Sequence, residues 1–292
     1  MKLHNLGEFG MIEKITKIIG HTSAVEGIGD DAAVLKLSWN RYLLATVDTL
    51  VQGVHFPKGK VDFRFLGQKT LAVNISDIAA MGGKPTAALI SLAIPAKIEV
   101  KKVEQFYRGL EEMAKKHQIA IVGGDTVASP KAIVISLCLL GEVKKSHLLR
   151  RKGAKVGDYI CVTGKFGLAA KKKYSVVPPV RLNEVELLAR LGALNAMIDS
   201  SDGLAVSVRI LAQASEVGAE LWEKEIPREG SLEQALYGGE DYELVFTVPQ
   251  SKVDKVKRQV KGITVIGKIV PQDLGIVVID KSKLKNKEFR HF

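Results

Sequence analysis

Gly27-Ile28-Gly29-Asp30-Asp31 runs directly into Ala32-Ala33-Val34-Leu35-Lys36-Leu37, so two adjacent carboxylates sit where a glycine turn enters an apolar strand. Glycine lets a backbone approach a ligand closely, but Asp and Gly are also ordinary turn formers. By itself the pentamer fits a hard-cation site or a plain turn. Recurrence separates the two readings: Asp48 ends a strand-like run, Asp77 comes late in a helical pattern, and Asp125 follows Val122-Gly123-Gly124. Asp199, Asp202, Glu240 and Asp241 occupy similar places further on. Turns do not require so many carboxylates at the ends of strands and helices.

Length and composition bound the answer. The chain has 292 residues, 46% of them hydrophobic, which is enough for a substantial core and about two domains. No window approaches the roughly 18 apolar residues of a membrane span; the best, Pro85 to Ala96, is bounded by prolines. The first ten residues include Gly7 and Glu8 and lack a long apolar stretch, so no secretory signal is expected and a cytoplasmic location follows. Cys138 and Cys161 each lie in an apolar run and read as buried free thiols, not as a disulfide or metal ligands. The formal charge of +11 invites a nucleic-acid reading, but the lysines and arginines are scattered and aromatics are only 6%. A solvated basic surface that helps recruit an anionic small molecule is the better account, with neither nucleic acid nor membrane as partner.

The periodicity predicts a mixed α/β chain. A helix from Met11 to Ile19 is followed by a hairpin, Ala32 to Leu37 and Tyr42 to Asp48, turning at Ser38-Trp39-Asn40. Asp62 caps a long helix from Phe63 to Met81, which Gly82-Gly83 stops. Asn74, Ser76 and Asp77 interrupt its apolar pattern, and a buried face does not carry three polar groups without a reason. A strand (Thr86 to Ala93), an amphipathic helix (Val100 to His117), a short strand (Ala120 to Val122) and a longer one (Ala132 to Glu142) complete the first half. Basic, glycine-punctuated sequence between Lys144 and Asp158 marks a boundary, giving domains of residues 1–146 and 147–292.

The second half predicts strands at Tyr159 to Thr163, Ala196 to Asp199, Glu243 to Val248, Ile263 to Val270 and Gly275 to Ile279. Helices are expected near Gly167 to Lys173, Arg181 to Leu191, Gly203 to Val217 and Lys252 to Val260. Asp199-Ser200-Ser201-Asp202-Gly203 therefore ends a strand and opens a helix, where hydroxyls and N–H groups suit phosphate and carboxylates suit metal; plain N-capping by Ser201 or Asp202 is the alternative. No Walker-type loop is present, and no Asp-Phe-Gly or His-Arg-Asp set. If nucleotide binds, metal must do more of the cradling, and several carboxylates on two or more Mg²⁺ ions can do so.

Taken together, Gly27–Asp31, Thr46–Phe56, Ala72–Gly82, Gly123–Asp125, Asp199–Leu204 and Gly238–Leu244 resemble, in order and spacing, the thiamine-phosphate kinase family of the aminoimidazole ribonucleotide synthetase-like superfamily. The resemblance spans nearly the whole chain. It implies a two-domain α/β fold whose N-terminal domains pair into a homodimer through a β-barrel-like interface, with a C-terminal α/β domain completing the site. It also implies an ATP-dependent phosphotransferase of thiamine biosynthesis that uses several Mg²⁺ ions, with ATP as co-substrate and thiamine phosphate as acceptor.

Carried over by position, the resemblance makes Asp31, Asp48, Asp77, Asp125, Asp199 and Asp202 metal-site carboxylates, with Thr46 and the Val47 main chain beside them. Tyr107, Gly124, Asp125, Arg151 and Ser201 fall where the family contacts ATP, and His55, Glu240 and Phe289 where it contacts thiamine phosphate. Asp48, Asp77, Asp125 and Arg151 would act on the transferring group. Val47 replaces a usual hydroxyl residue, Phe289 a more usual Trp or Tyr, and Gly164-Lys165-Phe166-Gly167 a longer acidic segment. The rivals are another ATP-dependent synthetase of the superfamily, or a non-catalytic nucleotide- or nucleic-acid-binding protein. The chain lacks the N-terminal or C-terminal reactive Cys that two of those synthetases would want.

Overall fold

The computed structural model describes residues 3–19, 25–59, 61–279 and 282–283. The first half comprises α1 (Leu3–Ile19), β1 (Ala33–Lys36), β2 (Arg41–Val51), α2 (Phe63–Ala80), β3 (Lys84–Ile94), α3 (Val100–His117), β4 (Ala120–Ala128) and β5 (Val134–Lys144). Then follow β6 (Tyr159–Val162), α4 (Leu168–Lys171), α5 (Leu182–Leu191), β7 (Ala196–Asp199), α6 (Leu204–Ala214) and β8 (Gly218–Trp222). The chain continues through α7 (Leu232–Tyr237), β9 (Leu244–Val248), α8 (Val253–Gln259), β10 (Thr264–Val270), β11 (Ile276–Ile279) and β12 (Ser282–Lys283).

Two sheets result. The first has order β1-β2-β5-β3-β4, antiparallel except for β3 and β4, which run parallel because α3 crosses over between them. The second has order β12-β11-β8-β10-β6-β9-β7, antiparallel except for β11 beside β8. The expected mixed α/β architecture is present. Among the described residues the first sheet is open, with β1 and β4 as edges, so the barrel-like closure expected from pairing is not a property of one chain.

Helix α2 explains how the halves fit together. Its N-cap is Asp62, whose carboxylate accepts from the N–H groups of Arg64 and Phe65. Most of the helix is buried, because one side packs on β2, β3 and β5 and the other meets β7 and α5. A helix enclosed in this way buries more than one face and shows no single apolar stripe. Near its C-terminal end Ala79 and Ala80 enter the apolar cluster of the second half, alongside Val185, Met197 and Phe246.

Some elements depart from the expectations. Strand β2 continues to Val51, which puts Asp48 inside a strand and not at its end. Strand β4 runs through Gly123-Gly124-Asp125, where glycine lowers strand propensity locally but pairing with β3 holds the segment extended. Strand β8 and helix α7 were not anticipated; α7 opens on a capping box between Ser231 and Gln234 that spacing alone would have shown. Neither Ser201 nor Asp202 caps α6: its N-cap is Gly203, at φ 100°, with no side-chain capping bond.

Where α2 and α3 cross, Gly67 lies against the main chain of Phe106 and Leu110, and Gly109 against that of Arg64. A Cβ at either glycine would meet backbone, which cannot swing aside. Gly109→Ala should therefore destabilise the protein by about 1–3 kcal/mol, the usual range for overpacking. Denaturant unfolding should show a lower midpoint at unchanged slope, and an unchanged midpoint would refute the close crossing.

Candidate active site

The three polar residues in α2 each meet a partner from another segment. Asn74 and Asp77 are three residues apart and share one face, which looks onto β2. There Asn74 Oδ1 accepts from the N–H of Asp48 at 3.1 Å, and the Thr46 hydroxyl donates to Asp77 at 2.5 Å. Lys69 and Ser76, seven residues or nearly two turns apart, share a second face that looks onto the C-terminal half. Ser76 donates to the carboxylate of Asp199 at 2.6 Å, and Lys69 lies 2.6 Å from Oε2 of Glu240. One helix thus holds both halves of the cleft.

At the centre, ligand-capable oxygens of Asp31, Asp77 and Asp199 all lie within 4.8 Å of one another. Arg151 borders them, its guanidinium donating to Asp31 at 2.7 Å and its main-chain N–H to Asp30 at 3.2 Å. Electrostatics follow from burial and like charge. Burial, then Asp48, Asp199 and Asp31, hold Asp77 well above the usual carboxylate range. Burial and Asp31 do the same to Asp199, and burial with Asp31 raises Asp30 to about 6. Asp31 is raised by burial against the opposing pull of Arg151. The second oxygen of Asp31 is buried with no hydrogen-bond partner. An all-oxygen donor set with an orphaned carboxylate oxygen fits a hard divalent cation, whose charge would relieve the repulsion.

These groups line a cleft of about 730 Å³ that also receives His55, Ser201, Asp202, Glu240 and Tyr242. His55 is buried, and its Nδ1 accepts from the N–H of Val51 at 2.9 Å, which leaves Nε2 as the ring nitrogen that carries a proton. Glu240 is 5% exposed, and its contact with Lys69 is ionic at angles outside those of a hydrogen bond. A second cleft of about 690 Å³, around Gly82, Lys84 and His147, holds no such carboxylate cluster. Its Glu142 and Glu186 are each paired with an arginine, Arg41 and Arg190.

Of the residues singled out in the sequence, Asp31, Thr46, Val47, Asp48, Asp77, Asp199 and Asp202 come together here, with Arg151, Ser201, His55 and Glu240. Tyr107, Gly124 and Asp125 stand apart. Asp48, Leu137, Ile90 and Gly124 form one row across the sheet, which puts Gly124 three strand spacings, or about 14 Å, from Asp48. Asp125 falls in the adjoining row with Thr49, Ser136 and Ser91, on the opposite face by strand alternation. Tyr107 belongs to a shallow depression on α3 with Arg108 and Ile121. Phe289 lies outside the described residues. Lys69 was missed, and its only signal was a lysine on the helical face that also carries Phe65, Leu66, Ala72 and Val73.

Crowded carboxylates predict a stability penalty in the cation-free protein. Their folded values lie above their unfolded ones, so the folded state holds extra protons and stability falls as pH rises from about 4 through the folded values. In chelator, Asp77→Asn should therefore melt higher than the wild type at pH 8, with the gap narrowing toward pH 4.5. A lower melting temperature for the variant at pH 8 would contradict the like-charge reading.

Comparisons with known proteins identify the family. Residues 29–143 match the family model of the AIR synthase related protein, N-terminal domain, and residues 155–280 that of the AIR synthase related protein, C-terminal domain. The chain is 33% identical to the thiamine-monophosphate kinase of Bacillus subtilis (strain 168), covering 98% of this chain and 100% of that protein. It is 34% identical to the thiamine-monophosphate kinase of Aquifex aeolicus (strain VF5), covering 100% of both. Among solved structures, AaThiL complexed with AMPPCP and TMP aligns with a TM-score of 0.88 at 32% identity, covering 100% of this chain and 99% of that one. Similarity of this extent, over nearly the whole chain, shows that the chain belongs to the thiamine-monophosphate kinase family of AIR synthase related proteins.

Proposed function

We propose that this chain transfers the γ-phosphoryl group of ATP to thiamine phosphate, giving thiamine diphosphate and ADP, by direct in-line transfer within the cleft described above. The observation that carries this reading is the convergence of Asp31, Asp77 and Asp199 from three distant segments beside Arg151. The relatives' activity and the analogue-bound AaThiL structure, which holds AMPPCP and TMP, support it.

The acceptor explains why the site is rich in carboxylates and poor in bases. A phosphate monoester has a second pKa of about 6, so its oxygen is already mostly ionised at neutral pH and needs no base. The barrier lies in bringing two polyanions into line, which positioning and charge neutralisation lower. Asp31, Asp48, Asp77, Asp199 and Asp202, with Thr46 and the Val47 carbonyl, would hold Mg²⁺, which when bound supplies positive charge for the phosphate oxygens. Arg151 adds a permanent cation: burial pulls its guanidinium down, but the Asp31, Asp199 and Asp30 carboxylates together raise it above its ordinary value. Ser201 at the mouth of α6 suits a nucleotide phosphate. His55 offers Nε2–H to the acceptor phosphate, and Glu240 places negative charge where the cationic thiazolium would lie. We place the domain division at 146/147, with the metal carboxylates drawn from both sides of it.

We further propose a homodimer. One face of the first sheet is covered by α2 and α3, whereas among the described residues the other leaves apolar side chains open, with Val47 64% and Leu89 42% exposed. Pairing through this face would cover the row that carries Asp125, and we assign Tyr107, Gly124 and Asp125 to nucleotide contact in that paired state.

Purified protein with ATP, Mg²⁺ and thiamine phosphate should yield thiamine diphosphate by chromatography, and no product would refute the assignment. Asp77→Asn should lower turnover by far more than tenfold, about 1.4 kcal/mol in barrier; a smaller loss would remove Asp77 from the metal site. Sedimentation at micromolar concentration should give twice the chain mass, and an active monomer would reject the pairing.

A further inference from the structure

Lys69 is 1% exposed in the middle of α2, and the reaction outlined above gives it no task. Its ammonium meets three oxygens from three different segments. It lies 2.6 Å from Oε2 of Glu240, donates to the carbonyl of His55 at 3.0 Å and donates to the carbonyl of Tyr174 at 3.3 Å. Two of its N–H groups thus donate to main-chain carbonyls, and the contact with Glu240 is ionic. Two of the three oxygens belong to residues assigned above to the acceptor side of the cleft. The third leads back to the same loop, since the Tyr174 hydroxyl donates to the carbonyl of Gly238 at 3.1 Å.

The loop that presents Glu240 needs such a hold. Glu240 and Tyr242 both sit at positive φ, 60° and 52°, a region that side chains other than glycine occupy at a cost. Their N–H groups are fastened to the carbonyls of Ser201 and Ser200, which follow Asp199 in the chain. Those bonds fix the backbone and leave the direction of the Glu240 carboxylate to Lys69. A buried ion pair is no cheaper than a well-packed apolar pair of the same volume, so stability alone gives no reason for a lysine here. What a leucine could not do is aim a carboxylate into the cleft while leaving it able to accept a further hydrogen bond.

We infer that Lys69 is a positioning residue for the acceptor: through Glu240 and the His55 main chain it sets where thiamine phosphate lies relative to the carboxylates that Ser76 and Asp77 mark two turns further along the same helix. The distance from Lys69 to Asp77, eight residues or about 12 Å along the axis, then acts as a fixed spacing between acceptor pocket and phosphoryl-transfer site. Lys69 touches neither substrate, so it acts on acceptor affinity and alignment and not on nucleotide binding. The inference rests on the acceptor-side reading of Glu240 and His55 given under the proposed function.

The test pairs kinetics with a readout that needs no turnover. Lys69→Met should raise KM for thiamine phosphate at least tenfold, leave KM for ATP within twofold, and speed hydrogen exchange in residues 238–244 of the ligand-free protein at least tenfold. Glu240→Gln should raise the same KM, and the double variant should be no worse than the poorer single, because the two side chains act as one unit. Additive effects, equal changes in both KM values, or a fall in melting temperature with normal KM would overturn the inference. Should Lys69→Met not fold with Glu240 left unpaired, the double variant and Lys69→Arg carry the test, and a normal KM for thiamine phosphate in both would overturn it. Wild-type protein that makes no thiamine diphosphate, while Lys69→Met still loosens residues 238–244, would reject the proposed reaction and with it the acceptor role, leaving Lys69 only as an anchor of the Glu240 loop.

Discussion

Burial of α2 from Leu66 onward, between the first sheet and the second half, is the constraint on which the rest of the molecule depends. Arg64 in the first turn reaches solvent, but the polar residues enclosed further along must each find a partner in the protein. Asn74 and Asp77 find theirs on β2, and Lys69 and Ser76 find theirs in the C-terminal half. The pairings that satisfy the helix are the ones that assemble the cleft. Packing and site construction are here the same event.

The cleft stores electrostatic strain in return. Three carboxylates drawn within 4.8 Å raise one another's proton affinity, and a single arginine offsets only part of that charge. Such a cluster is unfavourable for a cation-free fold and suited to metal-assisted phosphoryl transfer, where the positive charge brought in must outlast two polyanionic substrates. The surrounding apolar core supplies the stability that permits it, with Ile75 and Ile78 of α2 and Leu137 and Leu139 of β5 all inaccessible.

The two halves are bonded differently around this centre. In the first sheet β2 and β5 pair over eleven positions, and that long register sets the backbone of Thr46 and Asp48, which the Asp77 and Asn74 side chains of α2 then bond. In the second half Asp199 ends β7, while Ser201, Asp202 and Glu240 lie on the loops after β7 and before β9; side-chain contacts tie Asp199 and Glu240 to α2, and main-chain bonds tie the two loops to each other. Rigid strands carry the metal carboxylate Asp48, whereas the acceptor side rests on loops that a few contacts aim.

Sequence by itself determined the mixed α/β class, the long capped helix from Phe63, the termination of the first half near Lys144 and the acidic residues that meet in the cleft. Each of these is a local signal: periodicity, a capping Asp, a glycine stop, or a carboxylate at the end of an element. The extension of β2 past Asp48 and of β4 through Gly123-Gly124 came from strand pairing, which overrides the local propensity of glycine. Tertiary structure alone decided which carboxylates converge: register places Asp125 on the far face of the sheet and brings Asp199 from 122 residues beyond Asp77 onto Ser76 and its neighbours. Lys69 could be read in the sequence only as a charge out of place. Its partners lie 14, 105 and 171 residues away, and no pattern along the chain encodes a contact that exists only after two sheets close on one helix.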